Sequence, residues 1–223
     1  MADQDFELIT FDCYGTLIDW EAGIVAAFQS QAARHGVELE ADRIIETYMA
    51  VEPQIESGSY VPYREVLTRA AEKIADGLGW QMKPGDADFL AASLSGWRPF
   101  SDTKPALERL SGRFRLGVLS NVDDDLLRAT LSQFTTKFDL IVTAEQVRSY
   151  KPAHAHFLEA RSRMGEKRWL HAAQSYFHDV IPASELHIPV AWVNRKGERA
   201  SGGGPQPTYE VSNLAELANL LGA

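Results

Sequence analysis

An α/β fold built on a parallel sheet is what this sequence predicts, and three observations predict it. Short apolar runs recur along the chain, and helical patterns separate them from Phe100 onward. One long stretch, from about Glu21 to Trp97, carries helical patterns and no convincing strand. The runs are Phe6–Phe11, Phe114–Ser120, Phe138–Thr143, Trp169–Ala173 and Pro189–Asn194. Each is bounded by polar or turn residues, which is how strands buried on both faces read. Their alternation with helices implies a sheet covered on both sides. Ligands of such sheets sit beyond the carboxyl ends of the strands. Asp12, Ser120 and Gln174 lie at or just past such ends.

The strandless stretch reads as a helical insertion after the first strand, covering residues 19–98, with residues 1–18 and 99–223 forming the core. Within it Val66, Ala70 and Ile74 recur at a spacing of four, as do Leu67 and Ala71, giving one apolar helix face. Gly58, Pro62, Gly79, Pro84 and Gly85 punctuate the region, and Ser201–Pro205 predicts a flexible surface loop. An insertion on flexible joints can close over a site and exclude water.

Composition narrows the class. With 223 residues, 45% apolar and 24% charged, the chain can bury a sizeable core without staples. Its single cysteine, Cys13, permits no internal disulfide, so a cytoplasmic protein is expected. Lys and Arg total 22 against 31 Asp and Glu, a net charge of −9, which disfavours nucleic-acid binding. No apolar run approaches the roughly 20 residues of a membrane span, so no membrane partner is expected. The acidic start, Met1–Asp5, lacks a signal-peptide pattern.

Four motifs carry chemistry. The first is Asp12-Cys13-Tyr14-Gly15-Thr16, just after the first strand. Gly15 permits a tight turn, Thr16 can fix the carboxylate by a hydrogen bond, and a carboxylate so placed can attack carbon or phosphorus. Taken alone, an Asp after a strand is more often a helix cap. The second is Ser120-Asn121, a hydroxyl and an amide suited to an anion or a polarised group, or to capping the next helix. The third is Lys151-Pro152, where Pro152 suits a helix's first turn. Lys151 would then oppose the helix dipole, a placement best explained by facing carboxylates. The fourth runs from His171 through Gln174, Ser175 and His178 to Asp179, the candidate partner of Lys151.

Other residues read as structural. His154 and His156, two apart, point to different helix faces and make a poor metal pair. Cys13 more naturally packs in the core than acts as a nucleophile, since successive strand side chains alternate. Asp123, Asp124 and Asp125 suit a helix N-terminus. Trp20 borders either the site or a hinge.

Together the four motifs resemble the haloacid dehalogenase superfamily along essentially the whole chain. The resemblance implies a Rossmann-like parallel sheet core with an inserted helical cap. It implies catalytic roles for Asp12 as nucleophile, Thr16, Lys151 and Asp179. Cys13, Tyr14, Ser120, Asn121, Gln174, Ser175 and His178 would border the substrate. Phosphatases of the superfamily carry a second Asp where Tyr14 stands and a metal-binding Asp where Gln174 stands. The Asp-x-Tyr-Gly-Thr form instead resembles the metal-free L-2-haloacid dehalogenases, hydrolases of carbon–halide bonds. That implies a small carboxylate substrate, no cofactor, at most a weak Mg²⁺ site near Asp12, and a homodimer. A phosphatase with a degraded metal site and a non-catalytic ligand binder are the alternatives. The family's cap arginine falls on Ile44, one residue from Arg43, and its tyrosine after the lysine motif falls on Phe157.

Overall fold

The computed structural model describes residues 6–83, 85–200 and 203–223. Met1–Asp5, Pro84, and Ser201 and Gly202 of the expected loop lie outside the described residues. The chain opens with β1 (Leu8–Phe11), whose four residues are all buried. Alternation along it sends Ile9 and Phe11 into one apolar cluster and Leu8 into another, one on each face of the sheet.

From the end of β1 to Gly96 the regular elements among the described residues are helical: α1 (Trp20–Ala33), α2 (Ala41–Glu56), α3 (Tyr63–Gly77) and α4 (Phe89–Ser93), with short 3-10 turns at Asp86–Asp88 and Leu94–Gly96. The spacing of Val66, Ala70 and Ile74, with Leu67 and Ala71, makes a face of α3 that is fully buried. The chain leaves and returns through adjacent segments. Ile18 bridges antiparallel to Pro99, Asp19 N donates to Arg98 O, and Phe100 N donates to Leu17 O.

The remainder alternates helix and strand: α5 (Thr103–Ser111), β2 (Arg115–Ser120), α6 (Asp124–Leu131), β3 (Leu140–Thr143), α7 (Ala144–Val147), α8 (Ala155–Met164), β4 (Trp169–Ala173), α9 (Ile181–Glu185), β5 (Val190–Val193), β6 (Tyr209–Val211) and α10 (Leu214–Leu220). The six strands of the described residues are all parallel, in the order β3-β2-β1-β4-β5-β6. β1 therefore sits at the switch point where successive crossovers depart in opposite directions, and a crevice opens beyond its carboxyl end.

Two expectations are corrected. The sheet has a further edge strand, β6, too short to stand out as an apolar run. Pro152 does not open a helix: α8 begins only at Ala155, so Lys151 lies on a turn ahead of it rather than at a helix entrance.

Candidate active site

Four chain segments converge beyond the ends of β1, β2 and β4. The turn after β1 brings Asp12, followed by Gly15 at φ +98°, a conformation open to glycine at little cost. A Cβ on Gly15 would also press on the Gln174 Oε1 and Trp20 indole at 3.2 and 3.3 Å. Thr16 Oγ1 donates to Asp12 Oδ2 at 2.9 Å and accepts from Gln174 N at 2.9 Å, so one hydroxyl fixes the Asp12 rotamer and ties the first motif to the fourth.

Lys151 is buried between the two acids. Its ammonium donates to Asp12 Oδ1 at 2.9 Å, Asp179 Oδ1 at 2.6 Å and Leu119 O at 3.0 Å, which uses all three protons. Asn121 holds the lysine's backbone at two points: its Oδ1 accepts from Lys151 N at 2.7 Å and its Nδ2 donates to Lys151 O at 3.1 Å. Asn121 borders the cavity, but its amide is engaged in placing Lys151.

Asp179 stands on a π-helical turn, Tyr176–Val180. Its Oδ1 also meets His171 Nε2 at 3.0 Å. Behind it a directed chain runs through the sheet: Trp169 Nε1 donates to Thr10 Oγ1 at 2.6 Å, and Thr10 Oγ1 lies 2.8 Å from His171 Nδ1. With the indole as donor, the Thr10 hydroxyl proton goes to Nδ1 and the His171 Nε2–H goes to Asp179. His171 thus positions Asp179, a role the spacing of the motifs did not reveal, because the Thr10 hydroxyl that orients its ring lies 161 residues away in sequence.

The electrostatics follow from burial and one shared cation. Burial pushes the Asp179 carboxyl up, but Lys151 and His171 more than offset it and hold the group below the ordinary carboxylate range. Burial also pushes Asp12 up, Asp179 adds to the rise, and Lys151 and Thr16 offset only part of it, so Asp12 titrates above its usual 3.8. Burial pulls the Lys151 ammonium down, yet the two carboxylates raise it above its ordinary value. One positive charge held between two negative ones leaves the ensemble anionic when both acids are ionised.

A cavity of about 440 Å³ opens onto this cluster. Of the expected site residues, Asp12, Tyr14, Ser120, Asn121, Lys151, Gln174, Ser175, His178 and Asp179 line it. Among the motif residues lining it, Ser120 Oγ and Asp179 Oδ2 are buried without a protein partner. Both atoms keep unused hydrogen-bonding capacity. The Tyr14 hydroxyl turns away to Thr130 Oγ1 at 2.8 Å, so Tyr14 offers the cavity its ring. Ser175 Oγ caps His178 N and lies 3.0 Å from His178 Nδ1, and burial lowers the His178 pKa, favouring neutral imidazole.

Cys13 is the correction: its side chain is fully buried in the apolar cluster on the Phe11 face and forms no part of the cavity wall. Arg43 and Ile44 do not reach the cavity either; Ile44 is fully buried and Arg43 is exposed. Phe157 packs edge-on against His171 in the core. Asp123 caps a helix, but not its own: its carboxylate accepts from Tyr63 N and Arg64 N at 2.8 and 2.9 Å, closing the N-terminus of α3. His154 pairs with Glu185, while the buried His156 meets Ser120 O, so the two share no metal. Sequence reasoning missed the cavity wall supplied by α2, where Tyr48, Glu52 and Glu56 recur every four residues.

The donor set does not suit Mg²⁺. Its hard-oxygen site would need the carboxylates that Lys151 already bridges, and Tyr14 and Gln174 supply no further acid. Among the described residues, no group of three or more His, Cys, Asp or Glu is arranged to hold a metal.

Known proteins resemble this chain in sequence and in fold. A family model for haloacid dehalogenase-like hydrolases matches residues 6–173. The chain is similar to an (S)-2-haloacid dehalogenase of Pseudomonas putida, 28% identical over 98% of this chain and 97% of the relative. It is also similar to one of Pseudomonas fluorescens, 27% identical over 95% and 94%. In fold it matches the L-2-haloacid dehalogenase of Xanthobacter autotrophicus with chloropropionic acid covalently bound, at a TM-score of 0.84, 19% identity and coverage of 98% and 99%.

Proposed function

Because the chain belongs to the haloacid dehalogenase-like hydrolases, we propose that it is a metal-independent 2-haloacid dehalogenase with Asp12 as its nucleophile. The observation that carries this reading is the Lys151 ammonium held by both Asp12 and Asp179 at the mouth of β1, with the non-acidic Tyr14 and Gln174 on the same cavity wall. In the first step an Asp12 carboxylate oxygen forms a bond to C2 of the haloacid, and halide leaves with the bonding pair. Halide needs no proton, which fits the presence of Tyr14 where a general acid would stand. The product is an ester on Asp12. Water then attacks the ester carbonyl, the 2-hydroxy acid leaves, its oxygen coming from Asp12, and a proton is released.

Asp179 Oδ2, free of protein partners, is the natural seat for that water, with the neutral His178 nearby as proton acceptor. Ser120 Oγ is the free donor for the substrate carboxylate. We read residues 19–98 as a cap over a core of 1–18 and 99–223, hinged where Ile18 and Pro99 run side by side. A cytoplasmic setting suits the one free thiol.

Halide release from 2-chloropropionate is expected to be unchanged by excess EDTA. Phosphate release that requires Mg²⁺ would instead favour a phosphatase, and turnover of neither substrate class would favour a binding protein. The rate should also fall in acid as Asp12 takes up a proton. Since burial raises Asp12, the acid limb of kcat/KM is expected to have its midpoint above 3.8. A pH–rate profile with a midpoint at or below that value would contradict the assignment.

A further inference from the structure

The cavity wall contributed by the helical insertion is chemically the reverse of what a plain carboxylate substrate calls for. Tyr48, Glu52 and Glu56 lie on one stripe of α2, and Tyr63 opens α3 beside them. Glu52 Oε1 lies 3.0 Å from the Tyr48 hydroxyl and 3.2 Å from the Tyr63 hydroxyl, and the two hydroxyls are 3.0 Å apart. Two phenol protons therefore serve three contacts, and none is left for Glu56, whose Oε1 is buried without a partner.

No arginine or lysine of the described residues pairs with Glu52 or Glu56. The ammonium of Lys151, the cation that acts on Glu56, is already divided between Asp12 and Asp179. Aromatic faces lie beside them: Trp20 packs on Tyr48 with centroids 5.3 Å apart and Trp97 borders the same space, while Lys196, paired with Glu21, and Arg199 line the cavity from the core segment 196–199. Carboxylates beside aromatic rings are the surroundings that hold an organic cation, through ion pairing and ring quadrupoles together. The cavity has room for one. Its 440 Å³ falls within the roughly 300–1000 Å³ typical of sites for drug-sized ligands, well beyond the needs of a three-carbon acid.

We propose that Glu52 and Glu56, framed by Tyr48, Trp20 and Trp97, select a substrate bearing an ammonium-type cation at the end remote from its reacting carbon. This rests on the reading of the Asp12 cavity as the active site. The substrate would lie with its 2-substituted carboxylate end at Asp12 and Ser120 and its cationic end against α2. Burial and the neighbouring Glu52 push Glu56 up to about 9, a cost to its ionised form that a cation beside it would relieve.

The test compares 6-amino-2-chlorohexanoate with 2-chlorohexanoate as substrates, and hexylamine with hexanoate as ligands measured by calorimetry. Wild-type protein is expected to favour the amino substrate in kcat/KM by about tenfold or more, the scale of one partly desolvated charge pair, chiefly through KM. It should likewise bind hexylamine over hexanoate. In the Glu52→Gln, Glu56→Gln variant both preferences should shrink toward unity. Equal or better turnover of 2-chlorohexanoate by wild type, or tighter binding of hexanoate, would overturn the selectivity while leaving dehalogenation standing. Turnover of neither chloride, with the hexylamine preference present in wild type and lost in the variant, would uphold the selectivity and refute the reaction instead. The wild-type ratios decide the matter even where the double variant folds poorly.

Discussion

Asp12→Asn is expected to lower kcat by roughly 10⁴- to 10⁶-fold, the range seen when a covalent nucleophile is removed from an intact site. The amide is isosteric, so the cavity keeps its shape, though its single oxygen can accept from Thr16 or from Lys151 and not from both. What is lost is the oxygen nucleophile and one of the two charges that Lys151 bridges. The variant should still fold, because removing the Asp12 charge leaves Lys151 paired with Asp179 at 2.6 Å. Intact-mass measurement must exclude deamidation back to aspartate. The same instrument, applied to wild-type protein quenched during turnover of 2-chloropropionate, should show an added acyl mass on the peptide containing Asp12. Residual activity near wild type in mass-verified Asp12→Asn protein, or an adduct on another peptide, would remove Asp12 from the mechanism.

The convergence that makes up the candidate site could be read along the chain because its parts announce themselves locally. Asp12, Ser120, Lys151 and Asp179 each follow a strand or sit in a short motif, and strand ends in a parallel sheet meet in one crevice whatever the connecting loops do. The strands at Leu8–Phe11, Arg115–Ser120 and Leu140–Thr143 came out shorter than their apolar runs. Their flanking aromatics, Phe6, Phe114 and Phe138, pack on the core without joining the ladder.

The α2 wall was harder to see. On a helix, Tyr48, Glu52 and Glu56 look like an ordinary polar face, and only the packing of the insertion against the β1 crevice turns that face inward. His171 was opaque for a related reason. It reads as one residue in a buried strand, and its meaning comes from Thr10 on the neighbouring strand, itself held by Trp169 two residues along the strand of His171. Asp123 read as the start of its own helix, yet it caps α3 sixty residues earlier, joining insertion to core. Local pattern thus delivers groups at element ends, while groups whose partner is set by tertiary approach stay hidden.

Lys151→Met should damage stability and activity together, and the pH dependence of the damage identifies its cause. Methionine can follow most of the lysine stem, so packing changes little, but the ammonium that satisfies two buried carboxylates is gone. Removing one partner of a buried ion pair typically costs ~3–5 kcal/mol, and here the loss leaves two acids facing each other. In wild-type protein Asp179 is held below the ordinary carboxylate range, so its contribution is fully present above the unfolded-state pKa and is lost only in strong acid. Without Lys151 the sign reverses. Burial and mutual repulsion raise both acids above their unfolded values, which penalises folding at neutral pH, and the penalty lifts as pH falls through those raised values. Urea unfolding should therefore show a wide stability gap between wild type and Lys151→Met at pH 7 that narrows toward pH 5. A loss caused by poor packing of methionine would give a gap independent of pH. An activity loss with no stability gap at pH 7 would mean that the lysine does not hold the two carboxylates together in solution.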